Sequence, residues 1–86
     1  MKLNKEFIIH NTGDECFLVP TGGAGFSGLV KGNRTLGAVL ELLLTDTGES
    51  EVIRNIRARF DVSEDTAAKD VKTVLDNLRK IGALDE

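Results

Sequence analysis

A glycine-rich segment is the first candidate for chemistry in this chain. Residues 23–28 read Gly-Ala-Gly-Phe-Ser-Gly and match the G-x-G-x-x-G pattern of phosphate-binding loops, and Val30 extends the match toward the kinase glycine-rich loop. Such a loop holds a dinucleotide only when it follows a strand and opens a helix. Here the last glycine lies inside an apparent strand. The context therefore favours a flexible hairpin connection, in which glycines permit positive φ.

The chain has one histidine, His10, and one cysteine, Cys16. A nucleophilic thiol needs a base, for which only His10 is available, and an oriented third group. A zinc site needs a cluster of Cys and His ligands, and none is present in the sequence. We therefore expect no catalytic residue, no metal ligand and no cofactor, and we interpret Cys16 as a small buried or half-buried filler in a strand.

Three arginines, Arg54, Arg57 and Arg59, give one predicted helix a basic flank. A charged flank of this kind is typical of a solvated helix face. It also fits a docking patch for an acidic peptide or partner, and both interpretations stay open at this point.

Length and composition limit the function. The 86 residues predict one domain over residues 1–86, with a thin core, since a chain of this size buries only roughly 60% of its unfolded surface. The net charge of −3 disfavours nucleic acid as a partner. A lone cysteine suits a reducing compartment. We see no signal peptide and no apolar run near the ~20 residues of a membrane span, so we expect a cytoplasmic protein without a membrane segment.

The first third of the chain predicts three short strands. Apolar runs at residues 7–9 and 16–19 are each followed by turn or strand-ending residues, the second by Pro20. A third run at residues 26–31 follows the glycine connection and alternates apolar with polar or small side chains. Three short strands in sequence predict an antiparallel meander.

After Asn33, a favourable N-cap residue, the apolar period changes to that of helices. The first helix is predicted over about residues 34–44, the second from about Ser50, and the third after the N-cap Ser63, with Gly82 just past its end. A tight turn at Asp61 and Val62 joins the last two. The apolar stripes of the three predicted helices are, in chain order, Leu36, Val39, Leu40 and Leu43; Val52, Ile53, Ile56 and Phe60; and Ala67, Val71, Val74, Leu75 and Leu78.

The short turn makes the last two helices a helix-turn-helix pair, so a winged-helix DNA-binding regulator is an alternative function. In DNA readers the N-terminal residues of the second helix meet base edges. Here that helix opens with Glu64 and Asp65, and its basic residues only balance its acids. The sequence therefore favours a partner other than nucleic acid.

Three strands followed by three helices in this pattern resemble PqqD-like proteins. The resemblance is carried by Phe26-x-Gly28-Leu29-Val30 with Asn33 and Gly37, by Val52-Ile53 through Phe60-Asp61-Val62, and by Asp70-Val71 with Leu75, Leu78 and Gly82-Ala83-Leu84. It implies an α+β winged helix-turn-helix fold, with a three-stranded antiparallel sheet before the helices, over nearly the whole chain.

The resemblance also implies a function. PqqD-like domains are RiPP recognition elements: they bind the leader segment of a ribosomally made precursor peptide and present it to a modifying enzyme, such as a radical SAM protein, without catalysing a reaction themselves. The leader adds a strand to the edge of the third strand and lies against the third helix. We expect a peptide chaperone that is a monomer or weak dimer. A structural subunit that docks on an enzyme without touching its substrate is a further hypothesis.

The physical basis for such binding is the free edge of a third strand, whose unpaired N–H and C=O groups can receive a peptide. Alternation assigns Phe26 and Val30 to the core side, and Gly28 would let a backbone approach closely. On the third helix, Asp70, Val74, Asn77 and Ile81 form a stripe at three- and four-residue steps. Val74 and Ile81, which are apolar between polar neighbours, fit either the wall of a partly exposed groove or the edge of the core. The predicted peptide-binding residues are Phe26, Ser27, Gly28, Leu29, Val30, Lys31, Asp70, Val74, Asn77 and Ile81.

Overall fold

The computed structural model of the chain describes residues 1–25 and 28–86. Its elements follow one another as β1 (Lys2–Leu3), β2 (Phe7–Asn11), β3 (Cys16–Pro20), β4 (Val30–Gly32), α1 (Arg34–Leu42), α2 (Glu49–Phe60), α3 (Glu64–Lys80) and β5 (Leu84–Asp85). Strands β2, β3 and β4 form an antiparallel sheet in that order, and the three helices follow it. The predicted α+β fold, with its sheet before its helices, is confirmed.

The β2–β3 hairpin turns tightly because its loop residues suit the turn. Gly13 has a φ of 98°, which glycine adopts readily, and its N–H donates to Asn11 Oδ1 at 2.9 Å. At the far end of the hairpin Phe7 pairs with Pro20. The shorter β4 pairs with the β3 strand of this hairpin.

The third strand of the sheet is shorter than predicted. The prediction placed it over residues 26–31, whereas β4 begins at Val30 and ends at Gly32. Gly28 has a φ of 140°, a conformation that breaks a regular strand, so its predicted role as a thin strand position is wrong. Leu29 also precedes β4. Phe26 and Ser27 lie outside the described residues, so the assignment of Phe26 to the core side stays a prediction.

Helices α1 and α3 begin at the predicted caps. Asn33 Oδ1 accepts a hydrogen bond from the Leu36 N–H at 3.2 Å, and Ser63 Oγ accepts one from the Thr66 N–H, also at 3.2 Å. Asp61 adopts the left-handed region, with a φ of 50°, between α2 and α3. Aspartate tolerates this region better than most residues, so the predicted turn forms. α1 ends at Leu42, two residues earlier than predicted.

A second, two-stranded sheet has no counterpart among the predicted elements. β1 pairs antiparallel with β5, and Leu3 lies opposite Leu84. The Asn4 N–H also donates to the Ala83 carbonyl oxygen at 2.7 Å. This pairing fixes the segment that follows α3, and so it limits the position of the last turn of that helix.

The core lies between the sheet and the helices, and every buried side chain among the described residues is apolar. The predicted stripes of the first and third helices supply half of its buried residues. α1 sits close to β3 because Gly37 lacks a side chain: a Cβ there would lie 2.9 Å from Asn11 Nδ2 and 3.4 Å from Cys16 Cβ. The largest fully buried residues are Leu18, Leu40, Leu43, Ile56, Leu75 and Leu78.

Candidate functional site

Cys16 and His10 lie on opposite faces of the sheet. Cys16 is 1% exposed and faces the core, whereas His10 is on the outer face, its ring centroid 6.2 Å from that of Phe17. Burial, with a smaller contribution from the Glu41 charge, raises the pKa of the Cys16 thiol, so the thiol stays protonated at neutral pH. The two groups cannot act as a nucleophile and its base.

The glycine-rich segment does not open a helix. In the part of the segment that the structure describes, Gly28 leads into β4, and α1 begins only after that strand. The segment therefore lacks the direct loop-to-helix connection of a phosphate-binding loop. A carboxylate occupies the loop instead. Glu6 Oε2 accepts a hydrogen bond of 2.5 Å from Thr21 Oγ1, and a Cβ at Gly23 would lie 2.6 Å from the same oxygen. A negative charge at this place repels a phosphate, which agrees with the hairpin interpretation.

The basic flank of α2 is balanced by acids. Arg54 lies 2.9 Å from a Glu51 oxygen, Arg59 lies 3.4 Å from a Glu41 oxygen, and Arg57 lies 3.9 Å from a Glu64 oxygen. Exposed pairs of this kind stabilise the fold little, but they leave the flank without a surplus of positive charge. The solvated-face interpretation is favoured over a docking patch.

An apolar groove of about 450 Å³ runs between β4 and the C-terminal half of α3. This volume lies within the range of roughly 300–1,000 Å³ that is usual for ligand pockets. The strand side contributes Val30 and the α3 side contributes Val74 and Ile81, all three half-buried. The full lining is Val30, Lys31, Gly32, Asn33, Leu36, Val74, Asn77, Leu78, Lys80 and Ile81.

Gly32 lets the first turn of α1 reach the groove. A Cβ at Gly32 would collide with Leu36 Cδ2 and would lie 2.8 Å from Leu36 Cβ. The missing side chain therefore allows Leu36 to lie directly under the end of β4, where it forms part of the groove floor together with the buried Leu78. β4 can end here because Asn33 immediately caps α1.

The hairpin hydrogen bonds determine which backbone groups of β3 face β2. The Thr12 N–H donates to the Glu15 carbonyl oxygen at 2.9 Å, so these two residues form a hydrogen-bonded pair. Hydrogen-bonded and non-hydrogen-bonded pairs alternate along antiparallel strands. The pair two residues further along, His10 with Phe17, is therefore also hydrogen-bonded. The N–H and C=O of Phe17 point toward β2.

The same alternation determines the free edge of β4. Cys16 and Leu18 must direct their backbone groups toward β4, where they pair with Gly32 and Val30 respectively. Lys31, between these two, therefore directs its N–H and C=O away from the sheet. Within residues 1–25 and 28–86, no strand pairs with this edge. The open edge thus offers the backbone groups of Lys31 beside the apolar groove.

Comparison with models of known protein families gives a match to this chain. The model of coenzyme PQQ synthesis protein D, PqqD, matches residues 15–84. The chain belongs to the PqqD family. The predicted resemblance is thereby confirmed, and the match includes β3, β4, all three helices and the groove between β4 and α3. A comparison with curated protein sequences finds no match.

Two solved structures share the fold of this PqqD-family chain. One is TbiB1 in complex with the TbiA(beta) leader peptide, with a TM-score of 0.80 and 19% identity over 99% of this chain and 95% of that chain. The other is lasso peptide synthetase B1 complexed with the leader peptide, with a TM-score of 0.73 and 17% identity over 95% and 93% of the two chains. Since the identities are low, these likenesses establish the fold alone.

The PqqD-family fold brings together half of the predicted site residues. Val30, Lys31, Val74, Asn77 and Ile81 all line the groove. Asp70 lines an adjoining depression, which shares Asn33 and Val74 with the groove. Leu29, 60% exposed, and Gly28 precede β4 and are not among the groove-lining residues. Phe26 and Ser27 lie outside the described residues.

Sequence reasoning missed five residues of the groove: Gly32, Asn33, Leu36, Leu78 and Lys80. The sequence pattern had placed Leu36 and Leu78 on apolar helix stripes and Asn33 at a helix cap. Gly32 carried a usable signal, because a glycine directly before an N-cap allows a helix to approach a strand closely. In the described chain no helix is long and apolar enough to cross a lipid bilayer.

Proposed function

We propose that this chain binds the leader segment of a ribosomally made precursor peptide, which adds a strand to the open edge of β4. One observation carries this proposal: the outward-facing backbone of Lys31 lies directly beside the apolar groove between β4 and α3. Backbone hydrogen bonds at such an edge give affinity, and pockets for alternate side chains give selectivity. Two proteins of the same fold, complexed with leader peptides, support this function.

The geometry of β4 defines the register of the bound peptide. A peptide residue that exchanges hydrogen bonds with Lys31 points its side chain to the outer face of the sheet, as Lys31 does. The residues before and after it point to the other face, beside Val30 and Gly32, and therefore into the groove. There they would contact Val74 and Ile81. The preferred ligand has two apolar residues separated by one residue.

The bound leader would be presented to a separate peptide-modifying enzyme, of which a radical SAM protein is one example. The chain's own thiol and imidazole lie on opposite faces of the sheet, away from the groove. Its role in this proposal is to hold and orient the precursor, as a peptide chaperone. We further propose that it does so as a monomer or weak dimer.

A DNA-binding role is the weaker candidate. The leading end of α3 carries Glu64 and Asp65, both exposed, and the nearby Arg57 is paired with Glu64. These carboxylates would face the phosphates of a bound duplex, and no surplus of positive charge offsets them. A DNA reader would lose affinity steeply with added salt, whereas a peptide held by backbone hydrogen bonds and apolar contacts would lose little.

A titration of the ¹⁵N-labelled chain with the leader peptide tests the proposal. Candidate leader peptides are the N-terminal segments of short reading frames found by sequencing the genes on either side of the gene for this chain. We expect amide shifts at residues 30–32 and along α3 at Val74, Asn77 and Ile81. Shifts that cluster around Arg54 and Arg57 on α2, with β4 unmoved, would contradict strand addition.

A further inference from the structure

We propose, on the basis of the peptide binding proposed above, that the groove selects a peptide with an acidic side chain, and that Lys80 recognises it. The occupant is an extended peptide segment in which an aspartate or glutamate accompanies the apolar residues that fill the groove. Lys80 thereby becomes a specificity-determining residue, in addition to its place in the last turn of α3.

The first support is a local reversal of charge. The chain as a whole has a net charge of −3, yet the lining of the groove contains two lysines and no aspartate or glutamate. An uncharged peptide would gain nothing from these two positive charges, and a basic peptide would be repelled by them. An acidic peptide is attracted to it, although the rest of the surface repels such a peptide on average.

The second support is the availability of the Lys80 ammonium group. Lys31 Nζ is already engaged: it lies 3.5 Å from Glu15 Oε1 and 6.0 Å from the centroid of the Phe17 ring, on the outer face of the sheet. Lys31 therefore offers the groove its backbone rather than its charge. In residues 1–25 and 28–86, by contrast, Lys80 forms no ion pair.

The neighbouring charges on α3 leave Lys80 as the single free cation of the groove lining among the described residues. Arg79, next to it, lies 3.2 Å from Asp76 Oδ1 and 3.0 Å from Glu86 Oε1, and these carboxylates raise the pKa of Arg79. In the adjoining depression Lys69 and Asp70 carry opposite charges. The attraction is therefore concentrated at the C-terminal end of α3, and the acidic peptide residue should lie there.

A display selection tests this inference with a random library of 12-residue peptides, so the natural ligand need not be identified. The library is selected against the wild-type chain, against Lys80→Glu and against Lys72→Glu. Lys72 is the matched control: it is an exposed lysine of α3 that does not line the groove. Circular dichroism verifies that each variant is folded, which the exposed position of both lysines favours.

The expected result is an enrichment of aspartate and glutamate, beside paired apolar residues, with the wild type and with Lys72→Glu. With Lys80→Glu the acidic preference should disappear or change to lysine and arginine. For one enriched peptide, replacement of its acid by lysine should weaken binding to the wild type by roughly fivefold, the upper range for an exposed ion pair. The same replacement should strengthen binding to Lys80→Glu.

Two outcomes would overturn the inference, and they differ in what else they overturn. If apolar peptides are enriched without acids, or if Lys80→Glu retains the acidic preference, the charge selection is wrong and strand addition stands. If the wild type enriches no peptide over Lys31→Pro, whose outward N–H is removed, the proposed peptide binding fails as well.

Discussion

Two adjacent proline substitutions in β4 should have opposite effects on folding and binding. The Lys31 N–H points to the open edge, whereas the Val30 N–H points to β3, where Val30 is paired with Leu18. Proline removes the donor in both cases and introduces the same ring. Lys31→Pro should therefore leave the domain folded and weaken binding of the leader peptide, while Val30→Pro should destabilise the domain itself.

The expected changes in stability and in affinity follow from the hydrogen bond that each substitution removes. Leu18 is 0% exposed, so its carbonyl oxygen would be left without a donor in Val30→Pro, at a cost of about 1–3 kcal/mol in the free energy of unfolding. Lys31→Pro breaks no bond of the sheet and should change that free energy by less than about 1 kcal/mol. One lost peptide hydrogen bond, worth about 0.5–1.5 kcal/mol, raises Kd by about 2- to 12-fold.

The assay combines urea unfolding, followed by circular dichroism, with calorimetric titration of the leader peptide. Lys31→Ala serves as the matched control, because it removes the ammonium group but keeps the N–H, and it should bind within about twofold of wild type. If Lys31→Pro binds as tightly as Lys31→Ala, the peptide does not use this edge. If Val30→Pro is as stable as wild type, the deduced direction of the β4 hydrogen bonds is wrong.

Three further predictions concern other residues. Val74→Asp should raise Kd for the leader peptide by about fivefold or more, because an unpaired charge would be buried under the peptide; an unchanged Kd by calorimetry would remove α3 from the site. Gly32→Val should lower the free energy of unfolding by about 1–3 kcal/mol through collision with Leu36, and a urea titration as stable as wild type would contradict this. The Cys16 thiol, its pKa raised by burial and by Glu41, should react with iodoacetamide at pH 8 far more slowly in the folded chain than in urea; equal rates would refute its burial.

The helices could be predicted from the sequence because their signals are local. Asn33 and Ser63 each stand directly before an apolar stripe of helical period, and both side chains form the expected caps. The same holds for the turn at Asp61. The stripe of Asp70, Val74, Asn77 and Ile81 was likewise predicted from spacing within one helix. The structure places the last three along the groove and Asp70 in the adjoining depression.

The errors arose where the structure depends on residues far apart in the sequence. The alternation of residues 26–31 predicted a long strand, but β3 pairs only with Val30–Gly32, and Gly28 adopts a φ of 140°. β1 and β5 have two residues each and form only because the segments before β2 and after α3 meet in the fold. Two residues are too few to show a periodic pattern, so the local sequence cannot predict such strands.

Two residues of the groove floor, Leu36 and Leu78, also belong to the buried core. Any substitution that reshapes the floor therefore alters folding, whereas the half-buried walls and the exposed Lys80 can vary at little risk to stability. During divergence, new peptide preferences should accumulate on the walls, at Val30, Val74, Lys80 and Ile81, while the floor stays apolar and of constant volume. A combinatorial library limited to these four wall positions should yield folded variants of altered preference far more often than one that includes the floor.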